Sequence, residues 1–383
     1  MRIIQIIAAA GVVSSSLYYL LGLWSASKFM RATRTRAQST ESFLPPVSIL
    51  KPLKGVDPEM YESLRSQCLQ DYPQYEIVFG VSDADDPAIE VVKKLILEFP
   101  RPGMISWGVC PEVLGTNVKV SNLAQMLRLA KHDHLIVNDS DIRVAPDYLR
   151  RVIAPLADSQ AGMVTCLYRG IAGGSLGSRL EALGISTDFI LAVLTAQELE
   201  NGIRFGLGST LAFRRSDLYE IGGFESVVDY LADDYELGKR VAGLGLKVTI
   251  SDVVVETFLP PYWFRDFLKH QLRWARGVRD ARPGGYFGLV FTFGIFWALL
   301  ALIASRGTAW SCGALALVLI LRFAVAFSVG GKVLRDRQVG KYFWLIPLRD
   351  LIAVGVWIAS LAGHTVTWRG EKFKLTDGKL TRI

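Results

Sequence analysis

Three groups of acidic residues stand beside apolar segments of the sequence, where their carboxylates can do chemistry. They are Asp83 and Asp86 after EIVFGV, Asp139 and Asp141 after HLIV, and Asp233 and Asp234 at the start of YELGKRVAGLG. In open α/β sheets, ligands bind beyond the carboxyl ends of the strands. The sequence therefore predicts an acidic site at one edge of a sheet.

Asp139 and Asp141 form an Asp-x-Asp pair at the end of an apolar run. Alternate side chains on one face of a strand can offer hard oxygen ligands to Mn²⁺ or Mg²⁺, which would neutralise a leaving diphosphate. An isolated pair of this kind also occurs as a turn or a helix cap. We favour the metal interpretation because the pair follows a buried strand.

Asp83 or Asp86 can accept hydrogen bonds from a nucleotide base or sugar. For Asp85 we favour a solvated turn, with Pro87 starting the next helix. Asp233 and Asp234 have two open interpretations. They can stabilise a helix N-terminus through its dipole, or one of them can be a partly buried general base.

Two further segments suggest ligand contacts. Residues 206–210 (GLGST) carry the small residues that permit close backbone approach, although they are also compatible with a loop that leads into a strand. Residues 262–274 mix large aromatic residues with cations, which is typical of an interfacial amphipathic helix. The sequence lacks GxGxxG, Walker A, GxSxG and HExxH motifs, which weakens dehydrogenase, NTPase, serine hydrolase and zinc protease interpretations.

The elements that would position these residues alternate between strands and helices. The β-branched runs are VSILKP (47–52), EIVFGVSD (76–83), HLIVNDSD (134–141), GMVTCLY (162–168) and LKVTIS (246–251). Helix-compatible stretches separate them, as in a mostly parallel α/β sheet. A linker rich in Ser, Thr and Pro, at residues 37–46, precedes the first run.

The chain is also too apolar for an ordinary soluble enzyme of 383 residues, with 51% hydrophobic residues and a mean hydropathy of +0.30. Residues 4–26 carry no charge and are long enough to span a bilayer, and the basic cluster after them predicts a cytoplasmic catalytic domain. A cleaved signal peptide is the weaker alternative. Three more apolar segments cover 286–304, 309–330 and 342–363.

These segments divide the chain into a membrane anchor at 1–30, a cytoplasmic domain at 37–283, a membrane region at 284–364 and a basic tail at 365–383. If the third apolar segment crosses fully, the tail ends outside, against the charge rule. Three charged residues lie within the apolar segments and either neutralise one another or face a lipid substrate. They are Arg322, Arg349 and Asp350.

The formal charge of +7 collects near the membrane flanks and the acidic site, so no nucleic-acid partner is needed to explain it. The four cysteines show no metal-binding or disulfide spacing, which indicates a reducing compartment. The sequence leaves the oligomeric state undefined.

The motifs together resemble the ceramide glucosyltransferase family. They are LKPLKGVD (50–57), the DDP that contains Asp86, DSDIRV from Asp139, the ADDY that contains Asp234, and the Arg273-Trp274 pair. NVKVSNL, TCLYRG and HQLRWAR also resemble the related bacterial hopanoid-biosynthesis glycosyltransferases. The resemblance covers nearly the whole chain and implies a GT-A catalytic domain with N-terminal and C-terminal transmembrane helices.

The resemblance implies a role for each matching position. Asp86 would lie in the nucleotide pocket, Asp139 at the metal and diphosphate, and Asp234 would be the base. Lys51, Pro52, Asp83 and Lys119 would lie near the donor, and Arg273 and Trp274 would close the site around the diphosphate. His270 departs from the Gln or Arg of the family's motif. Asp141 replaces a glycine of the animal enzymes, which strengthens the case for metal.

We therefore expect an inverting enzyme that moves one hexose from a UDP-sugar, UDP-glucose or UDP-N-acetylglucosamine, to the hydroxyl of a membrane lipid. The lipid acceptor would be ceramide, a hopanoid or a similar alcohol, and it would approach along 178–195 and 258–274. The alternatives are hopanoid-lipid N-acetylglucosaminyl transfer, a processive polysaccharide synthase and, in a different class, a transporter component.

Overall fold

The computed structural model describes residues 2–36, 43–368 and 370–383. Most of the predicted linker, residues 37–42, and Arg369 of the basic tail lie outside the described residues. The chain forms two compact units. The helical unit contains Met1–Ala32, Ala172–Leu199 and Pro261–Lys372, and the sheet unit contains Thr33–Ile171, Glu200–Pro260 and Phe373–Ile383.

The sheet unit contains a mixed eight-stranded sheet of order β3-β2-β1-β4-β7-β6-β8-β5. Its strands are β1 Val47–Leu53, β2 Tyr75–Val81, β3 Ile105–Val109, β4 His134–Val137, β5 Ile142–Arg143, β6 Ala161–Ile171, β7 Leu211–Arg214 and β8 Lys247–Phe258. The pairs β1–β2, β2–β3, β1–β4 and β6–β8 are parallel, whereas β7 and β5 are antiparallel to their neighbours. The predicted α/β class with a mostly parallel sheet is confirmed.

The positions of β1, β2 and β4 explain where a ligand site forms. β1 is buried along its whole length because strands flank it on both sides. The chain moves outward from β1 to β2 and β3 on one side, and then returns to β4 on the other. This reversal leaves a crevice beyond the carboxyl ends of β1 and β4, which is where α/β sheets bind ligands.

The helices of the sheet unit connect these strands, and two of them begin beside the crevice, near Asn117 and at Asp233. They are α2 Met60–Cys68, α3 Ala88–Glu98, α4 Val118–Met126, α5 Tyr148–Ile153, α8 Arg215–Glu220 and α9 Asp233–Gly243, with short 3₁₀ turns at Ala154–Ala157 and Phe224–Val227. The predicted helix after Asp233 is therefore present. The strand β10, Glu371–Thr376, pairs antiparallel with β11, Lys379–Arg382, from Phe373 onward.

The helical unit collects the apolar segments. Its helices are α1 Arg2–Arg36, α6 Leu176–Gly184, α7 Ile190–Leu199, α10 Phe264–Ala281, α11 Pro283–Gly288, α12 Gly294–Ala304, α13 Ala309–Ala326, α14 Arg337–Tyr342 and α15 Ile346–Ser360. Shorter elements are π-helical turns at Ile185–Phe189 and Phe327–Val333, 3₁₀ turns at Leu289–Thr292 and Phe343–Leu345, and the strand β9 at Thr365–Trp368.

Among the described residues, four helices are long and apolar enough to span a membrane. They cover Arg2–Arg34, Leu176–Leu199, Ala309–Val333 and Arg337–Ser360. A fifth span exists only if Pro283–Thr292 and Gly294–Ala304, which meet at a bend of 48°, count as one. Residues 178–195 were predicted only as an apolar path for lipid, so the structure adds Leu176–Leu199 as a candidate span.

The charged side chains of the apolar segments neutralise one another. Arg322 donates to both oxygens of Asp350, from Nε at 2.7 Å and Nη2 at 2.8 Å, and also to the carbonyl and hydroxyl oxygens of Thr187. Arg349 Nη1 lies 2.5 Å from Asp188 Oδ2. This pairing favours the interpretation in which the charges balance within the helical unit.

Candidate active site

Asp139 lies just after the carboxyl end of β4, and two lysine side chains contact it. Its Oδ1 lies 2.8 Å from Lys119 Nζ. Its carbonyl oxygen accepts a hydrogen bond of 2.7 Å from Lys51 Nζ, which extends from the middle of β1. Burial lowers the pKa of Lys51 to about 8, although the nearby charges of Asp141 and Asp139 favour the ammonium. Lys51 of β1 therefore holds the backbone of Asp139, and Lys119 holds its side chain.

Lys119 links two of the predicted acidic groups. It lies on the first turn of α4, after Asn117, whose side chain accepts the Val120 N–H and caps the helix. The Lys119 ammonium is 2.8 Å from Asp139 and 3.2 Å from Asp233 Oδ2. Burial disfavours its charge, but the two carboxylates outweigh this and raise the pKa of Lys119. Lys119 is therefore a fixed cation within the acidic cluster.

Asp234 lies at the start of α9 and its carboxylate bonds in two directions. Oδ1 accepts the N–H of Tyr235 at 2.8 Å, and Oδ2 accepts the N–H of Gly208 at 2.7 Å. Desolvation, followed by the charge of Asp233, raises the pKa of Asp234 to about 6. This arrangement combines helix-end stabilisation with a carboxylate whose pKa is suited to base chemistry near neutral pH.

Gly208 lies between the two key carboxylates. A Cβ atom at this position would lie 3.2 Å from Asp234 Oδ2 and 3.5 Å from Asp139 Oδ2. The backbone can therefore donate to Asp234 while leaving room beside Asp139. The close approach expected of the GLGST segment is thus directed at the acidic cluster, and β7 begins directly after it.

Asp141 is held by strand β8. Its Oδ2 accepts a hydrogen bond from the Thr257 hydroxyl of β8. Burial and the charge of Asp139 raise the pKa of Asp141 to about 6. The residue between them, Ser140, donates its hydroxyl to Asp57. Asp57 and Thr257 were not predicted as site residues, because their contacts depend on how distant segments meet.

Asp86 supports the loop that follows β1. The Gly55 N–H lies 3.0 Å from both carboxylate oxygens of Asp86, and the Ala88 N–H donates to Oδ1 at 2.9 Å. Gly55 has a φ of +67°, which favours glycine there. The nucleotide role of Asp86 stays a prediction, and these bonds give the carboxylate a structural task as well.

Asp83 and Pro52 are the remaining predicted positions of the sheet unit. Asp83 is exposed, and its Oδ1 accepts the Asp85 N–H at 3.0 Å, as in an Asx turn. Pro52 pairs with Gly80 in the register of β1 and β2. Both residues lie near the carboxyl ends of their strands, so their predicted role near the donor stays open to test.

Arg273 and Trp274 belong to the helical unit, on α10. Trp274 Nε1 donates to His270 Nε2 at 3.2 Å, and His270 Nδ1 lies 3.0 Å from Glu181 Oε1. Tyr262 stacks on the imidazole, with ring centroids 5.5 Å apart. His270, which departs from the family motif, therefore contacts the tryptophan of that motif directly.

The two carboxylates of the Asp-x-Asp pair are suitable ligands for a hard cation, although the protein supplies few other ligands for such an ion. Within residues 2–36, 43–368 and 370–383, no group of three His, Cys, Asp or Glu side chains is placed to hold a metal ion. Two carboxylates from this cluster fit an ion that takes its other ligands from a diphosphate and water. The chemistry of the residues thus fits a metal that is shared with the substrate.

Comparisons with known proteins identify the family and the fold of the chain. The sequence profile of glycosyl transferase family 21 matches residues 7–381. The chain belongs to glycosyl transferase family 21. Ceramide glucosyltransferase 3 of Caenorhabditis elegans is 26% identical to the family 21 chain, over 97% of this chain and 82% of the relative. The ceramide glucosyltransferase of Komagataella phaffii is 39% identical over 29% of this chain and 22% of that protein.

The family 21 enzyme also shares its fold with a solved structure of low sequence identity. That structure is a mannosyltransferase from Pyrobaculum calidifontis in complex with GDP-Man and Mn²⁺. The TM-score is 0.55 at 18% identity, with 94% of this chain and 99% of the other covered. The predicted GT-A type of fold and the glycosyltransferase class are confirmed.

Proposed function

We propose that this family 21 glycosyltransferase transfers a single hexose from a UDP-sugar to the hydroxyl of a membrane lipid, with inversion at the anomeric carbon. The observation that carries the proposal is the acidic cluster at the switch point, where Asp139, Lys119 and Asp234 meet around Gly208. The relatives named as ceramide glucosyltransferases support a lipid acceptor.

Asp234 is the proposed general base. Inverting transfer needs one carboxylate that removes the proton of the acceptor hydroxyl as the oxygen attacks the anomeric carbon. A pKa of about 6 leaves Asp234 ionised at neutral pH and still basic enough to accept that proton. The Gly208 N–H holds Oδ2 in place, which limits the motion of the base.

Asp139 and Asp141 are the proposed ligands of Mn²⁺ or Mg²⁺, which would neutralise charge on the leaving UDP when bound. Lys119 holds Asp139 by its Oδ1 and keeps the carboxylate oriented. Lys51 Nζ donates a hydrogen bond to the carbonyl oxygen of Asp139 and so holds its peptide in place. Pro52, Asp83 and Asp86 are proposed to line the donor pocket, and Arg273 and Trp274 to close it around the diphosphate.

The lipid acceptor is proposed to approach from the helical unit. α10 buries Phe267 and exposes Phe264, and Trp263, which directly precedes the helix, is exposed as well. Ring side chains of this kind sit at headgroup depth in interfacial helices. Trp263 is 83% exposed, so Trp263→Ala should reduce turnover of the lipid acceptor without disturbing the core. Unchanged turnover would contradict this route.

The connectivity of the sheet unit also bears on membrane topology. The chain leaves this unit at Pro260 and returns to it at Phe373. Because a folded sheet unit lies on one side of a bilayer, residues 261–372 should cross the membrane an even number of times. One of the three C-terminal apolar segments would then not cross, and the basic tail would share the proposed cytoplasmic side with the catalytic domain.

Product analysis tests the proposed function. Membranes that contain the protein are incubated with labelled UDP-glucose or UDP-N-acetylglucosamine, and the lipid products are identified by mass spectrometry. We expect a lipid that has gained one sugar with one of the two donors. A product of repeated sugar addition would favour a polysaccharide synthase, and no transfer from either donor would contradict the proposal.

A further inference from the structure

Residues 373–382 of the basic C-terminal tail form a β-hairpin that belongs to the sheet unit. β10 and β11 turn at Asp377 and Gly378, both with positive φ, in a two-residue connection that favours these residue types. Phe373, Leu375 and Leu380 are buried, whereas the lysines between them are exposed. The hairpin therefore has an apolar face that packs on the sheet unit.

The backbone of the hairpin bonds to the segment that precedes the acidic pair of α9. The Leu380 N–H donates to the carbonyl of Asp229 at 2.7 Å, and the Leu231 N–H donates to the carbonyl of Gly378 at 3.0 Å. Tyr230 pairs with Lys379, whose ammonium lies 5.4 Å from the Tyr230 ring. Residues 229–231 are thus held against β11 by two backbone hydrogen bonds and an isolated β-bridge, two residues before Asp233.

Thr116 contacts both the hairpin and this segment. Its N–H donates to Asp229 Oδ1 at 2.9 Å. Its hydroxyl lies 3.1 Å from Asp229 Oδ1 and 3.2 Å from the carbonyl oxygen of Leu380, so its single proton serves either acceptor. Thr116 therefore joins the tail to the turn that starts α4.

The next residue continues the network into the site. The Asn117 N–H donates to the carbonyl of Val228 at 2.7 Å, and Asn117 Nδ2 donates to the carbonyl of Tyr230 at 2.8 Å. Asn117 is fully buried and also caps α4, which carries Lys119 on its first turn. A shift of residues 229–231 would therefore move both the Lys119 ammonium and the acidic pair of α9.

We propose that the C-terminal hairpin, residues 373–382, is a positioning element of the acidic site. It fixes residues 229–231 against Thr116 and Asn117, and through them sets the placement of Lys119 relative to Asp139 and Asp233. Thr116 is the positioning residue of this device. The inference deepens the proposed function, because it concerns the same site, but its structural part can be tested without activity.

The test compares Thr116→Val with Thr116→Ser. Valine keeps the shape and the N–H but lacks the hydroxyl, whereas serine keeps the hydroxyl. Lys374→Ala, at an exposed position of the same hairpin, is the matched control. We measure kcat and the KM for lipid with the full chain in membranes, thermal unfolding, and amide hydrogen exchange of peptides that cover 116–123 and 228–236.

We expect Thr116→Val to lower kcat by about 10-fold, since small displacements of catalytic groups are costly, with the KM for lipid and the midpoint of thermal unfolding unchanged. Exchange should rise in both peptides, and Thr116→Ser and Lys374→Ala should resemble the wild type.

Two results would overturn the inference. One is a Thr116→Val variant whose amide hydrogen exchange and kcat equal those of the wild type. The other is a loss of activity that follows a general loss of folded protein. An inactive wild type would contradict the proposed function, while the exchange comparison would still decide whether the hairpin orders the site.

Discussion

Replacing Asp234 by asparagine should separate catalysis from stability, because the ionised carboxylate is needed for catalysis but destabilises the folded chain. Its pKa is about 6 in the folded chain. A rise of about 2 in the pKa of Asp234 means that the ionised carboxylate destabilises the folded state by roughly 3 kcal/mol. This cost is fully present above pH 6 and is relieved as the pH falls toward 4. Asparagine removes this cost at pH 7.5.

Asparagine also loses one acceptor. The carboxylate of Asp234 accepts N–H groups from Gly208 and Tyr235, one on each oxygen, whereas an amide offers one oxygen. A lost hydrogen bond to a charged group costs about 1.5–3 kcal/mol. The two effects nearly cancel, so the free energy of unfolding of Asp234→Asn should stay within roughly 2 kcal/mol of the wild type. The variant should be folded.

The catalytic effect has no such compensation. Loss of general-base catalysis should lower kcat by about 10²–10⁴-fold, which is roughly 3–5 kcal/mol of the barrier. Transfer is assayed as labelled lipid per folded molecule, with unfolding followed in parallel, and Asp85→Asn, an exposed acid of the same unit, is the control. Near wild-type transfer by a folded Asp234→Asn protein would refute the assignment of the base.

Three other outcomes are expected. Lys119→Met should destabilise the chain by about 2–4 kcal/mol, because Asp139 and Asp233 lose the cation that they share; an unchanged free energy of unfolding in chemical denaturation would contradict this. Asp86→Ala should lower the free energy of unfolding by about 1–3 kcal/mol, since two backbone N–H groups lose their acceptor, and Asp86→Asn should restore part of it. If 286–304 and 309–330 are the two C-terminal crossings, the turn at 305–308 and the nearby Cys312 lie on the side opposite to the tail. A membrane-impermeant maleimide should then label Cys312 from the side opposite to an Ile383→Cys label, and labelling of both from one side would contradict this pair of crossings.

Much of the sheet was predictable because burial on both faces leaves a clear sequence pattern. β1, β2, β4, β6 and β8 coincide with the predicted apolar runs, with differences at their ends. β3 and β5 were not predicted. β3 has only partly buried and exposed positions, and β5 is two residues long, so neither forms a continuous apolar run.

The site was predictable as residue types and less so as contacts. A strand-end pattern predicts Asp139 as a candidate site residue, and the start of a predicted helix does the same for Asp234. Only the tertiary structure places Lys119 between Asp139 and Asp233. Asn117 and Thr116 were missed, since their bonds join positions more than 100 residues apart. The Asn that precedes a helical segment in GTNVKV was a usable capping signal.

The basic tail was the least predictable part. Its charge had no explanation from the sequence. The buried residues Phe373, Leu375 and Leu380 nevertheless alternate with polar ones at the spacing of a strand. Two short alternating segments joined by an Asp-Gly pair predict a β-hairpin. Where that hairpin packs depends on residues 229–231, which no local pattern identifies.

The most direct test of the central claim is the stoichiometry of one reaction. Purified protein is given a UDP-sugar, Mn²⁺ and a lipid alcohol, and UDP release is measured together with the mass of the lipid. The account predicts one UDP for each lipid that gains one hexosyl unit in the wild type, and neither product above background for Asp234→Asn. UDP release that does not depend on lipid, or a lipid product of equal yield from Asp234→Asn, would contradict it.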